Sequence, residues 1–398
     1  MPENFTDGVG NNYVLQKAIG AYAEEAYTDA KRLSNSGFVS RNSTIDTKQE
    51  TFSGQMRWHT PMNPIINVAS LVDPTDGIPS NYSSDFLRYI KTVRTTGAMK
   101  VDLTELVTGE DALKKVADGF ANARGKDEND TILDILKGVA VSEAFRGAAS
   151  VEGASLGLGG QTFDNDPTNR NYGFYVDLGA QPLVETTGSG AKRVFGLVEA
   201  LGMAWKDYEP EYAYFVVDPA TLAALRSANL LDGDRVTDGS IDFETLFSGK
   251  FRLITSRVNT SFTTQELGAI NGGSGVDIVG TRTSFMVLPG AIAMEPIAIP
   301  KPVGINTDES SYHGGGSTDS WYRWGYVAHP VGYDWRGPDT KFTGPRDYSG
   351  VTVGDSNIVV PITDASVSAN SNEDTVESVF RRKSSSVLTM GILPIFHG

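Results

Sequence analysis

Tyr212-Ala-Tyr-Phe-Val-Val-Asp218-Pro219-Ala-Thr-Leu222-Ala-Ala-Leu225 is the stretch on which the fold turns. Its first six residues are β-branched, aromatic or small, and read as a buried strand over Tyr212 to Val217. Pro219 then stands where a helix can begin, because the first helical position needs no backbone N–H. Upstream, Ala191 to Lys206 has Val194, Leu197, Val198 and Leu201 at helical spacing, and its core is Val194 to Trp205. Downstream lie strands at Phe251 to Ile254 and Ser284 to Leu288, then a small apolar strand, Pro289-Gly-Ala-Ile-Ala-Met294. Helix, strand, helix, strand, strand is the order of an α+β domain.

Before this block, residues 1 to about 50 are polar and turn-rich, with one helix expected inside Asn11 to Leu33. The rest of that segment reads as an extended arm with little core of its own. Residues 51 to 107 carry short β stretches, such as Pro64 to Ala69 and Met99 to Leu103. Turn signals at Asp73-Pro74-Thr-Asp-Gly77-Ile-Pro79 and Asn81-Tyr-Ser-Ser separate them, so a hairpin excursion is expected. Thr108-Gly-Glu-Asp111 is a weak capping box. A helix follows with Leu113, Val116, Ala117 and Phe120. Arg124-Gly125-Lys126 is expected to break it, and a second helix starts near Asn129. That second helix carries Ile132, Leu133, Ile135, Leu136, Val139 and Ala140 on a broad apolar face and runs to about Ala149.

Residues 150 to 190 form a Gly- and Asn-rich loop with one short strand, Tyr172 to Leu178. Pro296 to Gly316 reads as loop, and Trp321-Tyr-Arg-Trp324-Gly-Tyr-Val327 as an aromatic strand. Beyond Trp335 come a Gly/Pro-rich connection, a β-like stretch at Val351 to Thr363, polar residues at Ala365 to Asp374, and a closing segment at Val387 to Phe396. No internal repeat has a fixed period.

A chain of 398 residues can bury one large core or two moderate ones. Its 43 glycines exceed the usual share of ~7% and forecast many turns and long loops. The net charge of −15 argues against a general nucleic-acid binder, and it keeps subunits soluble until they meet a partner. With no cysteine, disulfides, thiolate metal sites and cysteine nucleophiles are excluded. No apolar run reaches the ~20 residues that span a bilayer, and the first residues do not read as a signal peptide.

Catalytic motifs are missing. The four histidines, His59, His313, His329 and His397, have neither an i, i+4 pair nor a His-Glu-x-x-His arrangement, which argues against zinc. His329, before Pro330, reads as a packed or interface histidine; the rival role is a general base. Gly153 to Gly160 fails the spacing and context of a dinucleotide loop, and there is neither a phosphate loop nor a nucleophile elbow. Asp232-Gly-Asp234-Arg-Val-Thr-Asp238-Gly-Ser-Ile-Asp242-Phe-Glu244 approaches a calcium loop. It departs at Val236, Thr237 and Phe243, so an ordinary solvated loop is expected there. Arg381-Arg382-Lys383 is the one compact basic run and reads as an ion-pairing element. No catalytic, cofactor-binding or metal residue is assigned.

Four segments in order then carry a resemblance: Val194 to Trp205, Tyr212 to Leu225, Pro289 to Met294, and Tyr326-Val-Ala-His329-Pro330-Val-Gly332-Tyr-Asp-Trp335. With Leu106-Val-Thr-Gly109 and Ile132-Leu133-Asp-Ile-Leu136-Lys-Gly138-Val139, the chain over roughly 100 to 340 resembles major capsid proteins of tailed bacteriophages of the HK-ninety-seven type. The resemblance implies an N-terminal arm (1–50), an extended hairpin or E-loop (51–107), and a peripheral P-domain with a spine helix (108–189). A central A-domain (190–320), a return to the P-domain sheet (321–345) and a C-terminal extension (346–398) complete it. It implies self-assembly into hexamers and pentamers of an icosahedral shell in the virion, assembled in the host cytoplasm. The shell would enclose double-stranded DNA without sequence-specific binding and without a membrane or cofactor. Implied partners are a scaffolding protein, a portal and a decoration protein. No scaffolding-like helix precedes the arm, so scaffolding is expected from a separate protein or a removed prosequence. The tail beyond about 340 is long for a minimal coat protein and suits an extra subunit contact. A cellular encapsulin-like shell, another virion part such as a tail-tube or decoration protein, and an enzyme with an unrecognised site remain the alternatives. An apolar stripe from Ile132 to Phe145 argues against the tail-tube reading.

Overall fold

The computed structural model describes residues 36–41, 45, 53–59, 84–101, 112–148, 175–178, 182–186, 192–194, 211–232, 235–238, 241–255, 278, 280–297, 305–310, 317–335, 351–352, 359–360, 380–382 and 391–398. In chain order the strands are β1 (Val39–Ser40), β2 (Ser53–His59), β3 (Ser84–Ile90), β4 (Thr92–Val101), β5 (Val176–Asp177), β6 (Val184–Thr186), β7 (Lys192–Val194), β8 (Ala213–Val217), β9 (Arg235–Asp238) and β10 (Ile241–Leu246). They continue with β11 (Phe251–Thr255), β12 (Arg282–Val287), β13 (Ile292–Pro296), β14 (Ile305–Ser310), β15 (Ser317–Pro330), β16 (Tyr333–Trp335), β17 (Val351–Thr352), β18 (Val359–Val360), β19 (Phe380–Arg382) and β20 (Ile392–His397). The helices are α1 (Ala112–Ala148) and α2 (Pro219–Ser227). The architecture is α+β.

The deciding stretch folds as read. All five residues of β8 are buried, as expected of a strand covered on both faces. Tyr214 and Val216 face one apolar cluster, while Ala213, Phe215 and Val217 face another that contains Leu222 and Leu225 of α2. Asp218 caps α2: its Oδ1 accepts from the Thr221 N–H at 2.8 Å, and Pro219 opens the helix. The helix ends in a Schellman closure, with Leu230 N–H donating to Leu225 O and Asn229 N–H to Arg226 O. Asn229 takes the left-handed position, φ 54°, where glycine is more usual. Strand β8 is internal to a seven-stranded sheet of order β5-β20-β12-β8-β11-β10-β9.

The second sheet is built on β15. Its residues Ser317 to Tyr326 pair antiparallel with β4, from Val101 to Thr92. Strands β14 and β13 pair with successive lengths of β15, and β1 runs parallel to β13. Alternation along β15 explains its length: Tyr322, Trp324, Tyr326 and Ala328 point into the main core, while Trp321 is exposed. Gly332, at φ 89°, reverses the chain into β16, which pairs with β19.

Helix α1 lies against both sheets. Its Phe120, Ile132, Leu136 and Val139 share one cluster with Tyr322, Trp324 and Tyr326 of β15 and with Tyr214, Val216, Phe285 and Phe396 of the larger sheet. Strands β2 and β3 pair from Ser53↔Ile90 to His59↔Ser84.

Several expectations need correction. The helix break at Arg124-Gly125-Lys126 is absent, and α1 runs unbroken for 37 residues. A glycine costs a helix only about 1 kcal/mol. Tertiary bonds flank this one, from Arg124 Nη1 to Tyr322 Oη at 2.9 Å and from Trp324 Nε1 to Asp127 Oδ2 at 3.1 Å. Pro296 to Gly316 is not all loop, because β14 pairs with β15 there. The segment Asp232 to Glu244 holds a hairpin, β9 on β10, and not a simple solvated loop. Residues 192–194, placed in a helix by periodicity, are a strand paired with β6. The arm is not wholly without core: Phe38 is fully buried against Tyr214, with ring centroids 5.7 Å apart. The expected helix within Asn11 to Leu33, the capping box at Thr108, the bulk of the helix Val194 to Trp205, and Gly153 to Gly160 lie outside the described residues.

Candidate assembly surfaces

The titratable residues singled out by sequence do not converge. His59 is exposed on β2, whereas His329 is buried and its Nε2–H donates to Tyr333 O at 2.7 Å. Burial pushes His329 down to about 4, against the opposing pull of that bond and of Asp334. His397 is also lowered, mainly by burial; its Nδ1–H donates to Gly398 O at 3.3 Å, and its Nε2 accepts from the Ser284 hydroxyl at 3.0 Å. These are packing arrangements. Among the described residues no group of three His, Cys, Asp or Glu could hold a metal ion. Arg381 and Arg382 sit in β19 beside Tyr333 and Asp334 of β16; His313 and Lys383 lie outside the described residues.

The polar chemistry is concentrated along the seam of α1 and β15. Asp127 Oδ2 accepts from Trp324 Nε1 at 3.1 Å and from Tyr326 Oη at 2.8 Å, while Arg94 Nε of β4 stands 3.4 Å from Oδ1. Tyr326 Oη is also 2.8 Å from Thr131 Oγ1, one turn further along α1. Nearer the helix end, Tyr333 Oη donates to the buried Glu143 at 3.1 Å. This network fixes a long helix to a long strand.

The β2–β3 ribbon has two unlike faces. Met56, Trp58, Leu87 and Tyr89 point inward and pack with Ala293 and Val327 of the second sheet. The backbone N–H of Arg88 donates to Asp334 Oδ1 at 2.7 Å and ties the ribbon to β16. On the other face Arg57 pairs across from Phe86, which is 53% exposed. The outward face of β4 and β15 is similarly unfinished. Val93 is 52% and Trp321 49% exposed. Trp321 lies across Gly97, where an added Cβ would come within 2.8 Å of its ring. A third exposed apolar side chain, Phe247, sits in the β10–β11 turn with the left-handed φ of 56°. Exposed aromatics on separate elements, each backed by a finished core, suit contact with other protein surfaces. Sequence reading placed the aromatic strand and a hairpin within 51–107, but not its strands or these side chains: Pro64 to Ala69 lies outside the described residues, and Met99 belongs to β4, which pairs with β15. The β2–β3 and β4–β15 registers decide that Phe86 and Trp321 face out.

No protein-family model matches the chain, and no curated protein sequence matches it. Solved structures similar to it include the capsid of Ralstonia phage GP4, at 10% identity and TM-score 0.45, covering 76% of this chain and 87% of that one. The head structure of Helicobacter pylori bacteriophage KHP40 is similar at 8% identity and TM-score 0.39, over 90% of this chain and 86% of that one. The capsid asymmetric unit of cyanophage Pam1 is similar at 12% identity and TM-score 0.39, over 76% and 89%.

Proposed function

We propose that this chain is the major coat protein of a tailed bacteriophage, a structural subunit and not a catalyst. It assembles into hexamers and pentamers of an icosahedral shell around double-stranded DNA. The observation that carries the reading is the chain's anatomy. A two-faced ribbon comes first, then an uninterrupted 37-residue helix laid across two sheets, then the strand–helix unit β8–α2, then the returning strand β15. That is the order the capsid resemblance of the sequence requires. The exposed Phe86, Val93, Trp321 and Phe247 supply apolar contact points on elements that already have a packed side.

Assembly then works by distributed burial. Specific protein contacts bury on the order of 1,600 Å². Much of the gross gain is offset by lost freedom and ordering. Spreading the contact over the ribbon, the arm and the sheet edges leaves each one weak enough to reverse a wrong placement before the shell closes. The acidic chain, at −15, opposes tight adhesion of DNA to most of the wall. A scaffolding protein, a portal and a decoration protein complete the assembly in the host cytoplasm.

The test is electron microscopy of the full chain, expressed alone and with its neighbouring genes. Closed shells holding nucleic acid are the expected result. Shells that hold enzymes would mean a cellular compartment. Tubes would mean a tail protein. Monomers under every condition would overturn the shell reading altogether.

A further inference from the structure

Strand β4 has one paired edge and one open edge. The Ile297 N–H donates to Gly325 O at 2.9 Å. On β15, then, Gly325, Arg323 and Trp321 turn their backbone polar groups toward β13 and β14, and the residues between them turn theirs toward β4. The β4–β15 register gives those bonds to Thr92, Arg94, Thr96 and Ala98. The N–H and C=O groups of Val93, Thr95, Gly97 and Met99 therefore point to the far edge of β4. Among the described residues no strand pairs there. Val93 is 52% exposed, and Thr95 and Gly97 are exposed as well.

The neighbouring length of chain is finished differently. In β3 the Phe86 N–H donates to Asp85 Oδ1 and the Arg88 N–H to Asp334 Oδ1, each at 2.7 Å. These amides turn away from β2 and are capped by carboxylates. Edge strands are blunted by such devices, by proline or by charge. Thr92–Val101 contains no proline and no acidic residue, and Arg94 is drawn to Asp127. Trp321, itself half-exposed, reaches from β15 across Gly97 toward the open edge.

We propose that this edge takes β4 of a second copy of the chain, the two strands running antiparallel about a two-fold axis at Thr96. The proposal rests on the shell reading and deepens it by naming a contact between subunits. The register follows from what surrounds the edge. Only Lys91 separates β3 from β4. Even-numbered residues of β3 turn their amides from β2 and those of β4 turn theirs to β15, so β2 lies on the side of the open edge. It fills that side up to Ser53, opposite Ile90. The longest overlap that stops short of β2 sets Thr92 against Lys100 and Thr96 against Thr96. Sliding one ladder step further would set Arg94 against Lys100, and like charges directly opposite are destabilising. In the chosen register Val93 opposes Met99 and Thr95 opposes Gly97, all of them residues whose backbone groups face the open edge. The partner's Thr95 stands opposite Gly97, with its Val93 on the diagonal, within reach of the Trp321 ring. An edge that fits itself makes an isologous contact, whereas rings close head to tail. The pairing thus joins subunits of adjoining hexamers and pentamers, weak singly and substantial when repeated over a shell.

The chain has no cysteine, so single cysteines test the register in the full-length protein. At Thr96→Cys the two copies' Cα atoms would stand about 4.5 Å apart, as in a non-hydrogen-bonded pair, whereas Val93→Cys would place them several residues apart along the strands. After mild oxidation, non-reducing gels should show at least about tenfold more dimer for Thr96→Cys than for Val93→Cys, because a disulfide needs Cα atoms within about 7 Å. Adding Thr95→Pro should remove that dimer and leave the melting temperature unchanged, since the lost N–H faces the open edge and not β15. Equal yields at the two positions, no dimer from Thr96→Cys, or a dimer indifferent to Thr95→Pro would overturn the proposal. Micrographs of the same preparations keep the two ideas apart. Shells without the Thr96→Cys crosslink count only against the strand pairing. Crosslinked dimers that never form shells uphold the pairing and count against the coat reading.

Discussion

His329 is held neutral by its surroundings. It is buried on β15 against β16 and the ring of Phe380, whose centroid is 6.0 Å away, and its ring bonds to the Tyr333 carbonyl. Its pKa falls from 6.5 to about 4, chiefly through burial. The unfolded chain therefore takes up this proton first, so the site's contribution to stability is complete above pH 6.5 and is lost as pH falls toward 4. The loss should reach about 2 kcal/mol at pH 5 and on the order of 3 kcal/mol at pH 4. Urea melts at pH 7.5 and pH 5 test this, with His329→Gln as the comparison, since its amide can still donate to Tyr333. The wild-type chain should lose about 2 kcal/mol more than the variant over that interval; equal losses would mean that His329 titrates normally. Sequence could name His329 as a packed or interface residue because it stands in the aromatic strand before Pro330. It could not supply the acceptor, because the bond runs to a backbone carbonyl that only the Gly332 turn brings into reach.

Helix α1 and strand β15 are nearly 200 residues apart in sequence and were legible to different degrees. The aromatic strand was plain from its residues, since Trp321 to Val327 is dense in aromatic side chains, which favour strands. The helix was read as two, because local propensity at Gly125 was the only information available there. What carries it through is Asp127, whose carboxylate accepts from Trp324 and Tyr326 and faces Arg94. Those partners come from β15 and β4, so no window of sequence around Gly125 contains the reason the helix continues. Asp127→Ala should then cost about 2–4 kcal/mol, because it leaves buried donors without their acceptor. Asp127→Asn should cost less, since one amide oxygen still accepts. Denaturant midpoints of the two variants measure this. A loss below about 0.5 kcal/mol for the alanine variant would mean that apolar packing alone holds the seam.

At the scale of the whole molecule, the α+β class and the internal strand–helix unit were readable because β8 and α2 obey local rules of burial and capping. The sheet partners were not, since β1 joins β13 and β20 joins β12 between segments far apart in sequence. The arm shows the consequence. A polar, turn-rich composition hides Phe38, which is fully buried, and Val39–Ser40, which adds a parallel strand to the second sheet. Backbone bonds reinforce this, from Gly290 N–H to Gly37 O at 3.1 Å and from Ile292 N–H to Phe38 O at 3.0 Å. Two truncations should therefore behave differently. Removing residues 1–35 should leave the melting temperature nearly unchanged while abolishing stable shells, if the arm's contacts are with neighbouring subunits. Removing 1–50 also takes away Phe38 and β1, and loss of a buried aromatic of this kind costs about 3–5 kcal/mol, so that chain should melt several degrees lower as well. Thermal melts and electron microscopy of both truncations decide the matter. Normal shells from the 1–35 deletion would remove the arm from assembly, and equal melting temperatures for the two would mean that Phe38 is not part of the working core.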